Sequence, residues 1–315
     1  ALYSLTTCMA IAVAFLFNDL FHPGRPGLIP LPESTGQEVA AITVSLKDTL
    51  MNIVPDNFLG AFVASDMMQV MFLAIVVGIA MGRMGKYSES VSHFIDSANN
   101  LFGTITAMLT KLLPFAVFGS IASMTVSLDF AAVKVLAKWT GACLCALLSM
   151  LFIYLLLLAV LGRLNPMKFI RKFSPATFTG FVTSSSNATM PTTMESCRRL
   201  GIAPKIYSFS IPLGANVNMD GTAIMFTLTT LFVAGLYGVT VEGSALASLV
   251  STIVMLSFAM PGVPGAGTAC MVLLFSIVGI PPEAMSLVIG AIPLIELFMT
   301  AGNVTGDGVV STIVA

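Results

Sequence analysis

Long apolar runs, separated by short polar or Gly/Pro-rich stretches, follow one another along this chain. Residues 1–21 and 130–162 have the length and composition of bilayer-spanning helices, since about 20 apolar residues cross the hydrocarbon core. The apolar segments 38–82 and 99–126 are predicted as further helices, and Pro55-Asp56-Asn57 is expected to bend the first of these. The pattern therefore predicts an all-α polytopic membrane protein.

The second half of the chain has a different pattern, in which apolar segments carry polar or Gly/Pro-rich interruptions. The segments 169–195 and 244–278 are interrupted by SSSNATMP and by AMPGVPGAG, respectively. Each is followed by a long span with polar residues inside it, 206–237 and 284–315, and both spans are predicted as broken helices. Paired Gly/Pro-interrupted segments are typical of the midplane binding site of a secondary transporter. The sequence therefore predicts a twofold repeat of this unit.

Basic residues indicate how the two interrupted segments are oriented. Most of the 14 lysines and arginines lie in three loops predicted to face the cytoplasm, because cytoplasmic loops carry an excess of positive charge. They are Arg83, Lys86, Arg163, Lys168, Arg171, Lys172, Arg198, Arg199 and Lys205. The basic residues of the second and third of these loops flank 169–195 at both ends, whereas the loops around 244–278 contain none. The two segments are thus predicted as re-entrant hairpins that enter from opposite faces, which makes the repeat inverted.

Composition supports this class and excludes others. Only 9% of the 315 residues are charged and 57% are hydrophobic, whereas a soluble domain carries about 25% charge. The net charge of −1 and the lack of a basic run argue against a nucleic-acid partner. The odd count of five cysteines does not fit a disulfide framework or a zinc site. The chain starts and stops within apolar runs, without a basic leader, so we expect a fragment cut at both ends.

The stretch 214–222 (GANVNMDGT) places an aspartate and two asparagines in the middle of an apolar span. A charged side chain at membrane depth is costly and is a functional-site hypothesis by default. Asn216, Asn218 and Asp220 are spaced by two, which does not correspond to one face of a helix, and Gly221 follows where a helix is easily interrupted. The structural alternative is a buried aspartate that caps or kinks a helix.

Three carboxylates in the last third of the chain lack an obvious counter-charge. Asp220, Glu296 and Asp307 lie in apolar spans, and the chain has no lysine, arginine or histidine after Lys205. Buried carboxylates must be paired, protonated or bound to a metal. We therefore expect an alkali cation, a proton or a cationic part of the substrate. Sodium is favoured over calcium because transport requires release, and a protonated carboxylate would instead make the carrier proton-coupled.

Oxygen ligands suited to a hard cation are available in this region. They are Gly214, Asn218, Asp220, Asn303 and Asp307.

Two further groups of polar residues are candidates for a substrate site. Glu296, Thr300, Asn303 and Asp307 recur on one helical face and are expected to line a cavity rather than face lipid. Residues 184–187 (SSSN) at the tip of the first hairpin offer hydroxyls and free backbone N–H groups that suit a carboxylate, unless this is a polar turn that simply reaches water. A serine nucleophile needs a base within reach, and no histidine lies in this half of the chain, so an enzyme is not expected.

Four motifs, taken in order, resemble the dicarboxylate/amino acid:cation symporter family, which includes the glutamate transporters. They are SSSNATMP at 184–191, IPLGANVNMDGT at 211–222, GVPGAG at 262–267 and NVTGD at 303–307. The resemblance covers nearly the whole chain and implies a glutamate-transporter-like fold in the plasma membrane, or the inner membrane of a Gram-negative cell. It implies a homotrimer surrounded by membrane lipid, in which a transport domain moves as an elevator against a scaffold.

The resemblance also implies where these domains lie. Residues 1–25 look like part of a transport-domain helix, residues 38–126 like the scaffold and trimerisation helices, and residues 127–315 like the transport domain. A sodium-ligating tyrosine/threonine/serine group of the family's third helix is expected upstream of Ala1.

Carried over residue by residue, the resemblance implies three sodium sites and a substrate site. The first sodium site matches Gly214, Asn218, Asn303 and Asp307, and the second matches Asn218 and Asp220. The third is built from the backbone carbonyls of Asn216, Ser257, Phe258 and Met260. Substrate contacts are expected from the hairpin tip at Ser185 and Ser186, and from Thr222, Gly262, Thr300 and Asn303.

The departures from the family pattern fall where specificity is set. Met299 and Ser184 occupy the two positions of a substrate-binding arginine, and Glu296 matches the aspartate that holds the substrate amine. Without an arginine, an acidic substrate would bring an unpaired carboxylate into a low-dielectric site. We therefore predict a sodium-coupled symporter of small amino acids or dicarboxylates that favours a neutral amino acid. A proton-coupled dicarboxylate/glutamate symporter and a channel are the alternatives.

Overall fold

The computed structural model describes residues 2–29, 31, 54–63, 67–112, 115, 118–119, 122, 130–260, 262 and 266–315. Most of these residues are helical and none lies in a strand, which confirms the all-α prediction for the described part of the chain. The helices are α1 (Leu2–Phe21), α2 (Phe58–Val63), α3 (Met67–Met84), α4 (Glu89–Thr110), α5 (Phe130–Val160), α6 (Pro166–Thr183), α7 (Ser186–Leu200), α8 (Pro204–Val217), α9 (Asp220–Tyr237), α10 (Gly243–Ala259), α11 (Ala266–Ile277) and α12 (Ile292–Val314). Two 3₁₀ helices cover Gly85–Ser88 and Pro282–Leu287.

The chain divides into two compact units, one of residues 44–111 and one of residues 1–43 with 112–315. The smaller unit contains α2, α3 and α4. At the predicted bend, Asn57 accepts hydrogen bonds from the backbone N–H groups of Leu59 (3.0 Å) and Gly60 (3.2 Å) and so caps the first turn of α2. Helix α4 begins at Glu89, ten residues before the predicted start at 99, and most of 113–129 lies outside the described residues.

The larger unit is built around α9, whose residues are almost all buried. Helices α1, α5, α10, α11 and α12 pack against it. Trp139 of α5 stacks on Phe232 of α9, with ring centroids 5.3 Å apart. Within the described residues, three stretches are long and apolar enough to span a membrane: Leu2–Phe21, Ala132–Val160 and Pro204–Tyr237. The third runs through α8, a short break and α9, so the break lies inside a buried span.

Serines make the break between α6 and α7. Ser184 has left-handed backbone geometry (φ 49°), and its N–H donates to the carbonyl of Gly180, which ends α6. The hydroxyl of Ser185 accepts a hydrogen bond of 3.1 Å from the N–H of Ala188 and caps the start of α7. Helices α6 and α7 then pack against each other.

The break between α8 and α9 consists of Asn218 and Met219. The N–H of Asn218 donates to the carbonyl of Gly214 and closes α8. No side chain caps α9, but Asp220 lies in its first turn, where the positive end of the helix dipole stabilises a negative charge. In the second interrupted segment, α10 ends at Ala259 and α11 begins at Ala266.

The expectation of a broken helix over 284–315 is corrected by the structure. Helix α12 runs without interruption from Ile292 to Val314, through the polar motif 303–307. The side chains in this motif find partners without opening the helix, since the hydroxyl of Thr305 donates back to the carbonyl of Ala301 (2.7 Å) and Asn303 bonds to α9. Polar residues therefore did not require a break here, because neighbouring helices satisfy them.

Candidate cation and substrate site

Asp220 is fully buried where α1, α5 and α9 meet. The hydroxyl of Thr7 on α1 donates to Asp220 Oδ1 (2.7 Å), and the hydroxyl of Tyr154 on α5 donates to Oδ2 (2.5 Å). In the described part of the chain, no ion pair reaches Asp220. Both carboxylate oxygens are therefore stabilised by hydroxyl dipoles and not by a protein cation.

Helix α1 brings hydroxyl groups to the site that were not among the predicted residues. Tyr3, Thr6 and Thr7 lie on one face of α1 at i, i+3 and i+4 and turn toward the site. The tyrosine/threonine/serine group that the resemblance placed upstream of Ala1 stays a prediction. Tyr3 donates to the carbonyl of Ser210 on α8 (3.1 Å). The i, i+3, i+4 spacing of hydroxyls could have identified them. They were missed because threonines are common in apolar helices and no charge lies near them in sequence.

Tyr154 was missed for a similar reason. It is one tyrosine in the 31-residue apolar helix α5, more than 60 positions before Asp220, so only the packing of α5 against α9 brings the two together.

Asn218 links the break between α8 and α9 to α12. Its Nδ2 donates to Asp307 Oδ1 (3.0 Å) and to the carbonyl of Asn303 (3.1 Å). Its Oδ1 is buried and has no hydrogen-bond partner among the described residues. An unpartnered buried amide oxygen costs about 1–3 kcal/mol, so this oxygen is available as a ligand.

Two glycines allow the helices to approach this cluster. A Cβ atom at Gly214 would lie 2.5 Å from Asp307 Oδ1 and 2.7 Å from the Tyr3 hydroxyl. A Cβ atom at Gly306 would lie 2.5 Å from both Asn218 Nδ2 and the Tyr154 hydroxyl. The glycines therefore leave room for Asp307, Asn218 and the two tyrosine hydroxyls against the helix backbones.

Asn303 connects α12 to the first turn of α9. Its Oδ1 accepts the backbone N–H of Gly221 (2.8 Å), one of the N–H groups that a helix start leaves without an intrahelical partner. Its Nδ2 donates to the Thr222 hydroxyl (3.3 Å) and lies 3.3 Å from the sulfur of Met219. The side chain thus fixes the polar face of α12 against the break.

Seven of the eight residues predicted to bind substrate line one cavity. They are Ser186, Thr222, Gly262, Glu296, Met299, Thr300 and Asn303, and Ser184, Met219, Met260 and Gly267 complete the wall. None of these residues is basic. The cavity is nearly closed, and its free volume of about 10 Å³ leaves room for roughly one water molecule. Glu296 and Met299 are only 5% and 7% exposed.

The break between α6 and α7 contacts Gly262, which lies between α10 and α11, beside this cavity. The eighth predicted residue, Ser185, does not line it, because its hydroxyl donates to the carbonyl of Gly262 (2.8 Å). The N–H of Asn187 donates to the same carbonyl (3.2 Å). Ser184 Oγ and Asn187 Oδ1 are buried without a partner among the described residues, so the tip offers unused polar atoms.

The four residues of the third predicted sodium site lie on neighbouring helices, since α8 packs against α10. The last four carbonyls of a helix lack intrahelical partners, and those of Asn216, Ser257 and Phe258 belong to such ends. The side chains of these residues make other contacts. The Asn216 amide donates to the carbonyl of Pro212 and the Ser257 hydroxyl to that of Val254, while Met260 lines the cavity. Any cation here would be held by backbone atoms.

Comparisons with known proteins all find membrane transport proteins. A family model described as the sodium:dicarboxylate symporter family matches residues 1–315. The proton/sodium-glutamate symport protein of Geobacillus stearothermophilus is 26% identical over 319 residues, which cover 99% of this chain and 76% of that protein. The C4-dicarboxylate transport protein 1 of Polaromonas naphthalenivorans is 27% identical over 323 residues, which cover 99% of this chain and 71% of that protein.

Proposed function

Because this chain belongs to the sodium:dicarboxylate symporter family, we propose that it is a sodium-coupled symporter of small amino acids or dicarboxylates, with a preference for a neutral amino acid. The family is one of membrane transporters and not of enzymes. Its curated relatives carry names that specify glutamate with proton or sodium, or C4-dicarboxylates. The choice of sodium and of a neutral substrate goes beyond those names and rests on the site.

The unpartnered Oδ1 of Asn218 is the observation that carries sodium coupling. The same amide group donates through its Nδ2 to the Asp307 carboxylate, and Asp220 follows two residues later at the start of α9. No ion pair with a described lysine, arginine or histidine reaches either carboxylate. An arrangement of carboxylate, amide and hydroxyl oxygens without a protein cation suits a hard monovalent ion that is carried as cargo and released.

We assign the oxygens to three ions. One ion would take Asp307, Asn218 Oδ1 and the Gly214 and Asn303 carbonyls. A second would take Asp220, Asn218 and the hydroxyls of Tyr3, Thr6 and Thr7. The third would take the backbone carbonyls at the ends of α8 and α10, at Asn216, Ser257, Phe258 and Met260.

The substrate would occupy the cavity between the hairpin tips and α12. Its carboxylate would bind the hydroxyls of Ser184 and Ser186 and the backbone N–H of Ser186, and its amine would bind Glu296. Thr222, Thr300 and Asn303 would supply further hydrogen bonds. With Met299 in the wall and no basic residue among the described lining, a second substrate carboxylate would have no partner, which favours a neutral side chain.

Movement across the membrane would follow the elevator scheme of the family. In this proposal α6–α7 and α10–α11 are re-entrant hairpins that gate the site from opposite sides of the plasma membrane. Residues 127–315, with 1–25, form the moving transport domain. Residues 38–126 hold it within a homotrimer. The nearly closed cavity supports a gated site, since a substrate could enter only after one of the tips moves away.

A thermal-shift panel on the detergent-solubilised protein tests this function. Neutral amino acids, glutamate, aspartate and C4-dicarboxylates are added in sodium chloride or in choline chloride at the same pH and ionic strength. We expect neutral amino acids to raise the melting midpoint only when sodium is present. The same panel as competitors of uptake into proteoliposomes gives the second readout. Glutamate that outcompetes every neutral amino acid would refute the proposed specificity.

Proton coupling is the second candidate, and the relatives named as proton/sodium-glutamate symport proteins favour it. A proton on Asp220 or Asp307 would neutralise the site as a sodium ion does. The two are separated by substrate binding measured at fixed pH over a range of sodium concentrations, and at zero sodium over a range of pH. Binding that strengthens with falling pH and ignores sodium would establish the proton-coupled alternative.

A further inference from the structure

A group of basic side chains lies at the base of the α6–α7 pair, far along both helices from the hairpin tip. Lys168, Arg171 and Lys172 occupy the first two turns of α6 at i, i+3 and i+4, which places them on one face. Arg199 lies in the last turn of α7. The four side chains line one open depression of about 480 Å³. Neither the transport site nor the coupling ions use these residues.

The positive charge of this depression is largely uncompensated. The chain contains no acidic residue from 130 to 194, and the first one, Glu195, accepts hydrogen bonds from Arg198 (2.7 and 2.8 Å) and Arg199 (3.0 Å). These two arginines lower the pKa of Glu195 to about 2, so it is occupied as their partner. In the described part of the chain, Lys168, Arg171 and Lys172 make no ion pair and no side-chain hydrogen bond.

A groove with exposed leucines on one wall continues directly from this depression. Lys168 and Lys172 line both, and the wall of the groove, whose volume is about 410 Å³, includes Leu161 and Leu164 and the end of α12 at Thr312 and Ile313. Leu161 and Leu164 are 53% and 42% exposed. The groove begins where α5, the most apolar of the candidate membrane spans, ends at Val160. Cations and exposed leucines thus lie side by side just beyond the end of a candidate membrane span.

We propose that this surface binds an anionic phospholipid. The phosphate would lie against Lys168, Arg171, Lys172 and Arg199, and one acyl chain would cover Leu161 and Leu164. Charge complementarity selects the headgroup, because phosphate oxygens accept several charge-assisted hydrogen bonds from such a cluster. The adjoining leucines select a lipid over a soluble phosphate, since a tail removes their exposed surface from water. This site is independent of the sodium and substrate assignments.

Native mass spectrometry of the full chain in detergent tests the site. The protein is titrated with phosphatidylglycerol, with phosphatidylcholine of the same acyl chains, and with glycerol phosphate. We expect phosphatidylglycerol to remain bound at concentrations where phosphatidylcholine does not. The triple variant Lys168→Gln/Arg171→Gln/Lys172→Gln should weaken its apparent affinity at least ~10-fold, because each cation contributes to holding an anionic headgroup.

A matched variant removes the same charge elsewhere: Arg25→Gln/Lys111→Gln/Lys134→Gln should retain phosphatidylglycerol at the wild-type level. Binding of phosphatidylglycerol that is equal in the wild type and in the first triple variant would overturn the proposal. So would an equal loss in both triple variants. Glycerol phosphate that binds as tightly as the lipid would show a soluble-phosphate site instead.

Discussion

The hydroxyl of Tyr154 donates a 2.5 Å hydrogen bond to Oδ2 of Asp220 and so joins α5 to the first turn of α9. Both residues are fully buried. Since Thr7 donates to Oδ1, both oxygens of this carboxylate accept from hydroxyl groups. Neutral donors offset only part of the free energy of burying a carboxylate. The remainder is what a bound cation or proton would offset, and this makes Asp220 the most informative position to change.

Asp220→Asn should abolish the response to sodium while the fold is retained. The side chain keeps its size, but the ion loses a charged ligand, so sodium affinity should fall at least ~100-fold, which corresponds to the roughly 3–5 kcal/mol lost when one partner of a buried charge pair is removed. The measurement is the sodium-induced shift of the melting midpoint, at constant ionic strength. In sodium-free buffer the midpoint should stay the same or rise, because a buried charge has been removed.

Asp19→Asn is the matched control, since Asp19 lies exposed at the end of α1 and takes no part in the site. It should leave the sodium response unchanged. An Asp220→Asn protein with the wild-type sodium response would contradict the assignment of Asp220 as an ion ligand.

Tyr154→Phe should destabilise the sodium-free protein more than the sodium-bound protein. The variant loses one hydrogen bond to a charged acceptor, about 1.5–3 kcal/mol, in the state where no ion shares the charge of Asp220. The melting midpoint in choline chloride should therefore fall, and the increase on adding sodium should become larger than in the wild type. Tyr87→Phe provides the control, since Tyr87 is 86% exposed. A sodium-free midpoint equal to that of the wild type would mean that Tyr154 does not stabilise the ionised carboxylate.

Two of the helix breaks could be predicted from the sequence, because polar residues interrupt apolar segments there. The chain breaks at Asn218–Met219 and at Ser184–Ser185, inside the stretches marked by asparagine, aspartate and serine. The same reasoning failed at 303–307, where α12 continues. The difference is tertiary: Asn303 is satisfied by Gly221 of α9, and such a partner cannot be read from local sequence.

The site was only partly predictable for the same reason. Charged and amide residues such as Asp220, Asn218 and Asp307 stand out in apolar spans, and the structure brings Asn218 and Asp307 within hydrogen-bond distance. Hydroxyl residues such as Thr7 and Tyr154 do not stand out, because an apolar helix tolerates them anywhere. Their role depends on the packing of α1 and α5 against α9, which periodicity alone does not give.

Gly214→Ala should reduce sodium affinity and stability together. The new methyl group would lie 2.5 Å from Asp307 Oδ1 and 2.7 Å from the Tyr3 hydroxyl, so these groups must shift, at a cost of about 1–3 kcal/mol. Gly302→Ala is the matched control in α12, because its added Cβ would meet nothing within 4 Å. That variant should keep the sodium response and gain up to about 1 kcal/mol from helix propensity. Equal sodium affinities for the two variants would argue that Gly214 does not adjoin the ion.

Met299→Arg should change the preferred substrate from neutral to acidic amino acids. Met299 lines the cavity on the same helix as Glu296, three residues apart, so an arginine here would meet both Glu296 and the substrate side chain. A substrate carboxylate would then gain a charge-assisted hydrogen bond, and we expect aspartate or glutamate to bind at least ~10-fold more tightly than to the wild type. Neutral amino acids should bind more weakly, because the arginine competes with their amine for Glu296.

The measurement is competition against a radiolabelled substrate in the presence of sodium. Met299→Gln is the matched control, since glutamine has a similar length but no charge, and it should not gain affinity for acidic substrates. An equal shift in both variants would attribute the effect to shape and not to charge. If Met299→Arg keeps its sodium response but still prefers neutral amino acids, position 299 does not face the substrate side chain, and the proposed basis of specificity is wrong.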